Sequence, residues 1–146
     1  MFLNIRHFGL VVYDLDQSLK FWRDLLKFKT FLHKKESGRY IDEMLGLKDV
    51  KVTTIKLKSP CGQMLELLDF ENYKDKKKWC GKPYSTGFTH IALTVNDIDD
   101  KIKKFKLFGL ICKRKPIASP DGYAKAIYVR SPEGVFVELV ELLNHE

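Results

Sequence analysis

Ser131–Leu142, SPEGVFVELVEL, repeats an earlier stretch, Ser59–Phe70, SPCGQMLELLDF, with Ser, Pro, Gly, Glu and Leu at matching places. Each copy reads as a tight Pro/Gly turn followed by an apolar strand with one carboxylate set into it, Glu66 in MLELL and Glu138 in FVELV. Period-two alternation puts Met64, Glu66 and Leu68 on one face of the first strand, and Phe136, Glu138 and Val140 on one face of the second. A carboxylate among Val, Leu, Met and Phe is costly to desolvate. It needs a compensating partner, and a cation is the usual one.

Working outward from these stretches, the preceding sequence also runs twice. In the first half, Ile5–Tyr13 has strand character and carries His7. Asp14 and Asp16 then cap a helix over Gln17–Leu26, in which Leu19, Trp22, Leu25 and Leu26 recur at helical spacing. Phe28–His33 is strand-like, Ser37–Gly46 predicts one or two helical turns, and Val50–Leu57 and Gln63–Asp69 are strands joined by the Pro60/Gly62 turn.

In the second half, Phe88–Val95 is a strand with His90 near its start. Asp97 and Asp99 open a helix keeping Ile98, Ile102 and Phe105 in period, and Gly109 ends it. Ile111–Lys115, Tyr123–Arg130 and Val135–Leu142 are the remaining strands. Setting His7 on His90 also puts Val12 on Val95, Asp14 on Asp97, Asp16 on Asp99 and Lys20 on Lys103, while Trp22 and Phe105 become equivalent core positions.

Such coincidences mark an internal duplication. The predicted fold is α+β, a single domain over residues 1–146 made of two βαβββ modules, the first at 1–70 and the second at 87–146, joined by a polar linker at 71–86. The His-to-Glu separation is 59 residues in the first half and 48 in the second, and the surplus of 11 falls in Lys34–Asp49. That insertion, with Arg39 and Tyr40, is a candidate flap.

At 146 residues, 45% hydrophobic and 12% aromatic, the chain can fill one core. No segment approaches the roughly 20 apolar residues of a membrane span. The N-terminus lacks an apolar leader with a small-residue cleavage site, so a cytoplasmic protein is expected. Cys61, Cys80 and Cys112 are odd in number, with no CxxC, and are read as reduced thiols. The net charge of +7 comes mostly from lysines interspersed with acids, and no nucleic-acid-binding signature accompanies it. Small anionic molecules suit such a surface better.

Two modules, each with a strand-borne His and a strand-borne Glu, would face each other across a pseudo-twofold axis. His7, Glu66, His90 and Glu138 then converge as two imidazoles and two carboxylates. That donor set suits one divalent Zn, Ni, Co, Mn or Fe ion, with room for water or substrate. His33 and His145 fall outside the repeat. Tyr123, Lys125 and Tyr128 share a strand that could line the cleft, and Asp121-Gly122 reads as a turn.

HFGLVVYDLDQSLKFW, SPCGQMLELLDF, FTHIALTVNDIDDKIKKF and SPEGVFVELVEL together resemble the vicinal oxygen chelate superfamily of glyoxalase I, methylmalonyl-CoA epimerase, extradiol dioxygenases and fosfomycin or bleomycin resistance proteins. The resemblance implies paired βαβββ modules curling into a cleft around one divalent metal, with His7, Glu66, His90 and Glu138 at the ligand positions. Dioxygenases of this group bind iron with two His and one Glu, and bleomycin-binding members lack the ligands. The full set here therefore looks more like glyoxalase I or an epimerase.

By resemblance, the implied chemistry is proton transfer through a metal-chelated enolate or enediolate. Glu138 is the base and Glu66 a ligand and second acid/base, a choice that also rests on the strand around Glu138 reading as the better buried. The implied partners are a small-molecule substrate, anionic or thiol-conjugated, and a second copy of the chain in a homodimer. One departure stands out: FENYKD follows the first carboxylate strand where glyoxalase I carries an Asn-Trp stretch. A binding or resistance protein on the same scaffold is the non-enzymatic alternative.

Overall fold

The computed structural model describes residues 1, 3–75, 77–110 and 112–143. The readings placed on Ile111 and His145 lie outside the described residues. The chain forms two compact units, Met1–Lys78 and Trp79–Glu146, each built around its own four-stranded sheet. The α+β class and the paired βαβββ modules are as expected.

The first unit contains β1 (Phe8–Val11), α1 (Leu15–Leu19), β2 (Lys29–Ser37), α2 (Arg39–Leu45), β3 (Lys51–Lys58) and β4 (Met64–Phe70). Its sheet runs β1-β4-β3-β2, with β1 parallel to β4 and the other neighbours antiparallel. The second unit contains β5 (His90–Thr94), α3 (Ile98–Leu107), β6 (Ile117–Ala118), β7 (Ala124–Arg130) and β8 (Phe136–Leu142), ordered β5-β8-β7-β6 with the same parallel and antiparallel pairings.

Equivalent positions form equivalent bonds. Val12 N–H donates to Leu68 O at 2.9 Å in one unit, and Val95 N–H to Val140 O at 2.8 Å in the other. Asp14 caps α1 by accepting from Gln17 N–H at 3.0 Å, and Asp97 caps α3 by accepting from Asp100 N–H at 2.9 Å. Trp22 and Phe105 are both fully buried, one at the centre of each unit's core. α1 continues as a π-helical stretch, Lys20–Leu25, whose wider turn lets the adjacent Phe21 and Trp22 both reach the interior. Trp22 then meets Phe21 and Phe28 edge-on, at centroid distances of 5.0 and 5.9 Å.

The units differ where the sequence surplus predicts. β2 runs nine residues and leads into α2, whereas β6 is two residues long. No strand occupies Cys112–Lys115, where one was expected; pairing begins at Ile117, opposite Ala126. Three consecutive cations, Lys113–Lys115, precede Pro116 there, and proline has no N–H to give to a ladder.

The insertion is anchored at α2. Ile41 packs with Val50, Val52 and Phe70, and the Asp42 carboxylate accepts from Asp49 and Val50 N–H at 3.0 and 2.8 Å. Arg39 and Tyr40 lie exposed on its outer surface. Nor is the polar connection at 71–86 all free linker. Asn72 and Tyr73 bond the backbone of Lys48, Asp49 and Lys51, and Trp79 N–H donates to Glu133 O at 2.9 Å. All three cysteines are free thiols. Among the described residues, no helix is long and apolar enough to cross a membrane.

The two caps differ in backbone conformation: Asp14 is extended, but Asp97 is left-handed at φ 50. Asp14→Ala loses a cap, a cost of about 1 kcal/mol. Asp97→Ala loses the cap and also forces alanine into a region that Asn and Asp tolerate better. Urea unfolding is expected to rank Asp97→Ala as the more destabilising of the two and to show Asp97→Asn near wild type; equal costs for both alanine variants would contradict the strained-cap assignment.

Candidate metal centre

Each parallel pairing sets an imidazole beside a carboxylate. Gly9 on β1 lies opposite Glu66 on β4, and Ala92 on β5 lies opposite Glu138 on β8. His7 and His90 each stand two residues upstream of those partners, on the same face. His7 Nε2 is 3.1 Å from Glu66 Oε2, and His90 Nε2 is 3.5 Å from Glu138 Oε2. All four predicted residues are thus brought together in pairs, one pair per unit. Among the described residues, no group of three or more His, Cys, Asp or Glu side chains is arranged to hold a metal ion.

The spacings fit a shared cation. With bonds of about 2.1 Å, an imidazole nitrogen and a carboxylate oxygen stand about 3.0 Å apart at a right angle and about 3.4 Å apart at the tetrahedral angle. The pairs at 3.1 and 3.5 Å therefore have the reach of adjacent corners of a coordination polyhedron. His90 Nδ1 is 3.0 Å from Thr89 Oγ1, an outer contact of the kind that fixes the ring of a metal-binding histidine.

The carboxylates keep different company. Lys56, the cross-strand neighbour of Glu66, brings its Nζ to 3.4 Å from Glu66 Oε1. The cross-strand neighbour of Glu138 is Tyr128, whose hydroxyl hydrogen-bonds the carboxylate. Burial, and then the charge of Glu138, hold the Tyr128 phenol above its ordinary range. Tyr128 also meets the rings of His90 and Phe136 edge-on, at 5.3 and 5.7 Å. Glu66 has a side-chain exposure of 13% against 25% for Glu138, while the two strands around them hold equal numbers of buried residues, so the strand of Glu138 is not the better buried.

Tyr128 was one of three candidates on its strand, and the structure separates it from the others. Lys125 pairs with Asp99, which raises its ammonium pKa, and the Tyr123 N–H donates to the Asp121 carboxylate of the turn. Lys56 escaped the sequence reading, although a signal exists. The offset of 72 residues from Glu66 to Glu138 also carries Lys56 onto Tyr128. A cavity of about 660 Å³ in the first unit lies apart from the pair, lined by Tyr13, Asp14, Leu15, Asp16, Asp69 and Lys74.

The chain is a duplicated βαβββ protein with one His–Glu pair in each unit. A family model for the Glyoxalase/Bleomycin resistance protein/Dioxygenase superfamily matches residues 4–139, and the chain belongs to that superfamily. A probable lactoylglutathione lyase of Vibrio cholerae is 29% identical over 140 residues, covering 94% of this chain and 90% of the relative. A glyoxalase family protein from Bacillus cereus is similar in structure, with a TM-score of 0.89 at 20% identity, covering 99% of this chain and 97% of that one. The fosfomycin resistance protein FosX of Listeria monocytogenes, solved with Mn(II) and sulfate, has a TM-score of 0.63 at 14% identity, with coverages of 97% and 93%.

Lys56 places a positive charge beside a donor oxygen, where it competes with any added cation. Lys56→Met is expected to tighten binding of Mn²⁺ or Zn²⁺ by about tenfold, a figure reduced from the bare Coulomb value for partial exposure. Titration calorimetry checks this; unchanged or weaker binding would remove Lys56 from the site.

Proposed function

We propose that this chain is a divalent-metal-dependent lyase or isomerase of the glyoxalase I type. In this reading His7, Glu66, His90 and Glu138 hold one ion of Zn, Ni, Co, Mn or Fe, drawn from one chain or exchanged between two copies in a cytoplasmic homodimer. The observation that supports it is the recurrence of the same His–Glu pair, at the same ladder register, in both units. Structural pairing alone gives no reason for a half-buried carboxylate and an imidazole to be repeated so closely.

A bound divalent ion supplies polarisation of a substrate carbonyl oxygen, which acidifies the adjacent C–H. The chain's own groups then handle the proton. Glu138 takes it, aimed by the hydroxyl of Tyr128 and backed by the aromatic rings of His90, Tyr128 and Phe136. Glu66, held between His7 and Lys56, relays a proton from solvent to the neighbouring carbon, as in a glyoxalase reaction, while Glu138 releases the proton it took to solvent. Delivery by Glu66 to the opposite face of the same carbon gives an epimerase. Asn72 and Tyr73 are tied to the backbone at Lys48–Lys51, so this segment serves the fold, and the thiol carrier of the substrate is left to other residues.

The test is turnover of methylglyoxal with glutathione and with other small thiols, using metal-loaded protein and chelator controls. Glu138→Gln is expected to keep the fold, by circular dichroism, and to lose about two to four orders of magnitude in kcat. Full activity in that variant would remove the base assignment. Metal binding with no turnover of thiol adducts or acyl thioesters would favour the binding and resistance reading instead.

A further inference from the structure

The two copies of the Ser-Pro-x-Gly turn fold alike. Ser59 N–H donates to Gln63 O at 2.8 Å and Ser131 N–H to Val135 O at 2.9 Å, and Gly62 and Gly134 adopt φ values of +95 and +94. Their surroundings differ. In the second unit the turn is sealed: Ser131 and Glu133 are buried, and the Trp79–Gly81 segment lies across it. Arg130 fastens that segment by donating to Gly81 O at 3.0 Å and Gly134 O at 2.5 Å. A side chain at Gly134 would collide with the Trp79 carbonyl.

In the first unit the same turn is open at Pro60, Cys61 and Gly62, beside a cavity of about 540 Å³. Lys27, Lys29 and Lys58 line that cavity with Ser59–Gly62. Lys29 and Lys58 are direct cross-strand partners, a like-charge juxtaposition that destabilises a sheet. Lys27 sits in the left-handed region at φ 63, where glycine would be unstrained. Among the described residues, none of the three makes a salt bridge. Two ammonium groups opposed across a ladder, and a third on a strained backbone that feels the charge of Asp24, break local rules. Such violations concentrate at functional sites.

We propose that this cavity is a binding site for a small polyanion, with Lys27, Lys29 and Lys58 as its charge-matching residues. The ligand class is a molecule carrying two or more negative charges on phosphoryl or carboxylate groups. Each lysine meets such an anion as a flexible point charge, and binding would relieve the cross-strand repulsion. The site uses none of the metal-binding residues, so it stands apart from the enzymatic reading.

Cys61, exposed on the same turn, is a built-in reporter. In a Cys80→Ser/Cys112→Ser background, its reaction rate is measured with dianionic dithiobis(nitrobenzoate) and with neutral dithiodipyridine, at low and high salt. Replacing Lys27, Lys29 and Lys58 by Gln is expected to lower the dianionic rate about tenfold relative to the neutral one at low salt, and to raise the thermal midpoint by removing the repulsion. Pyrophosphate or citrate is expected to shield Cys61 in the wild-type lysine background and not in the triple variant. Stronger shielding by pyrophosphate assigns a phosphoryl ligand; stronger shielding by citrate assigns a polycarboxylate. If neither anion shields Cys61, or if both shield it equally well without the lysines, the proposal fails.

Discussion

The constraint on which the structure turns is the cost of keeping a carboxylate on an apolar strand. Glu66 and Glu138 each sit in an interior strand of its unit's sheet, where a charge is harder to solvate than at an edge. Each is met by an imidazole delivered from the parallel neighbour, at 3.1 and 3.5 Å. The parallel pairing is what makes this possible, because it brings the start of β1 beside β4 and the start of β5 beside β8. Parallel strands in turn require a crossover, supplied in each unit by a helix capped with aspartate and seated by a large aromatic residue.

Duplication gives the two units a common frame, and divergence distinguishes them within it. One carboxylate faces a lysine and the other a phenol, at the same place in the ladder. A pair of formally identical glutamates is thereby given unequal neighbours: a cation beside one, a neutral hydrogen-bond donor and aromatic rings beside the other. Acid/base chemistry that moves a proton between two sites benefits from such inequality. The same divergence separates the two hairpin turns, one covered by the Trp79 segment and the other flanked by lysines.

Much of this was legible in the residues. His7, Glu66, His90 and Glu138 stood out because chemistry-bearing types recur at equivalent places, and the Asp14/Asp97 caps followed from the same alignment. The α2 insertion was visible as a length difference. What escaped notice depends on register and tertiary packing. Lys56 is one lysine among many until β3 is laid against β4, and the Trp79 segment reads as linker until Arg130 and Gly134 hold it. The π-helical stretch at Lys20–Leu25 has the apolar spacing of an ordinary helix and is set by burying adjacent aromatics. The expected strand at Ile111–Lys115 ignored how strongly Lys113–Pro116 resist a ladder.

In the proposed reading the two pairs share one ion, and X-ray absorption spectroscopy of the protein loaded with Zn²⁺ or Co²⁺ tests that directly. Two imidazole nitrogens per metal atom, at one atom per chain and with one imidazole lost in His7→Ala, is the predicted result. A single imidazole per metal, with two atoms bound per chain, would mean that each pair acts alone and would contradict the shared centre.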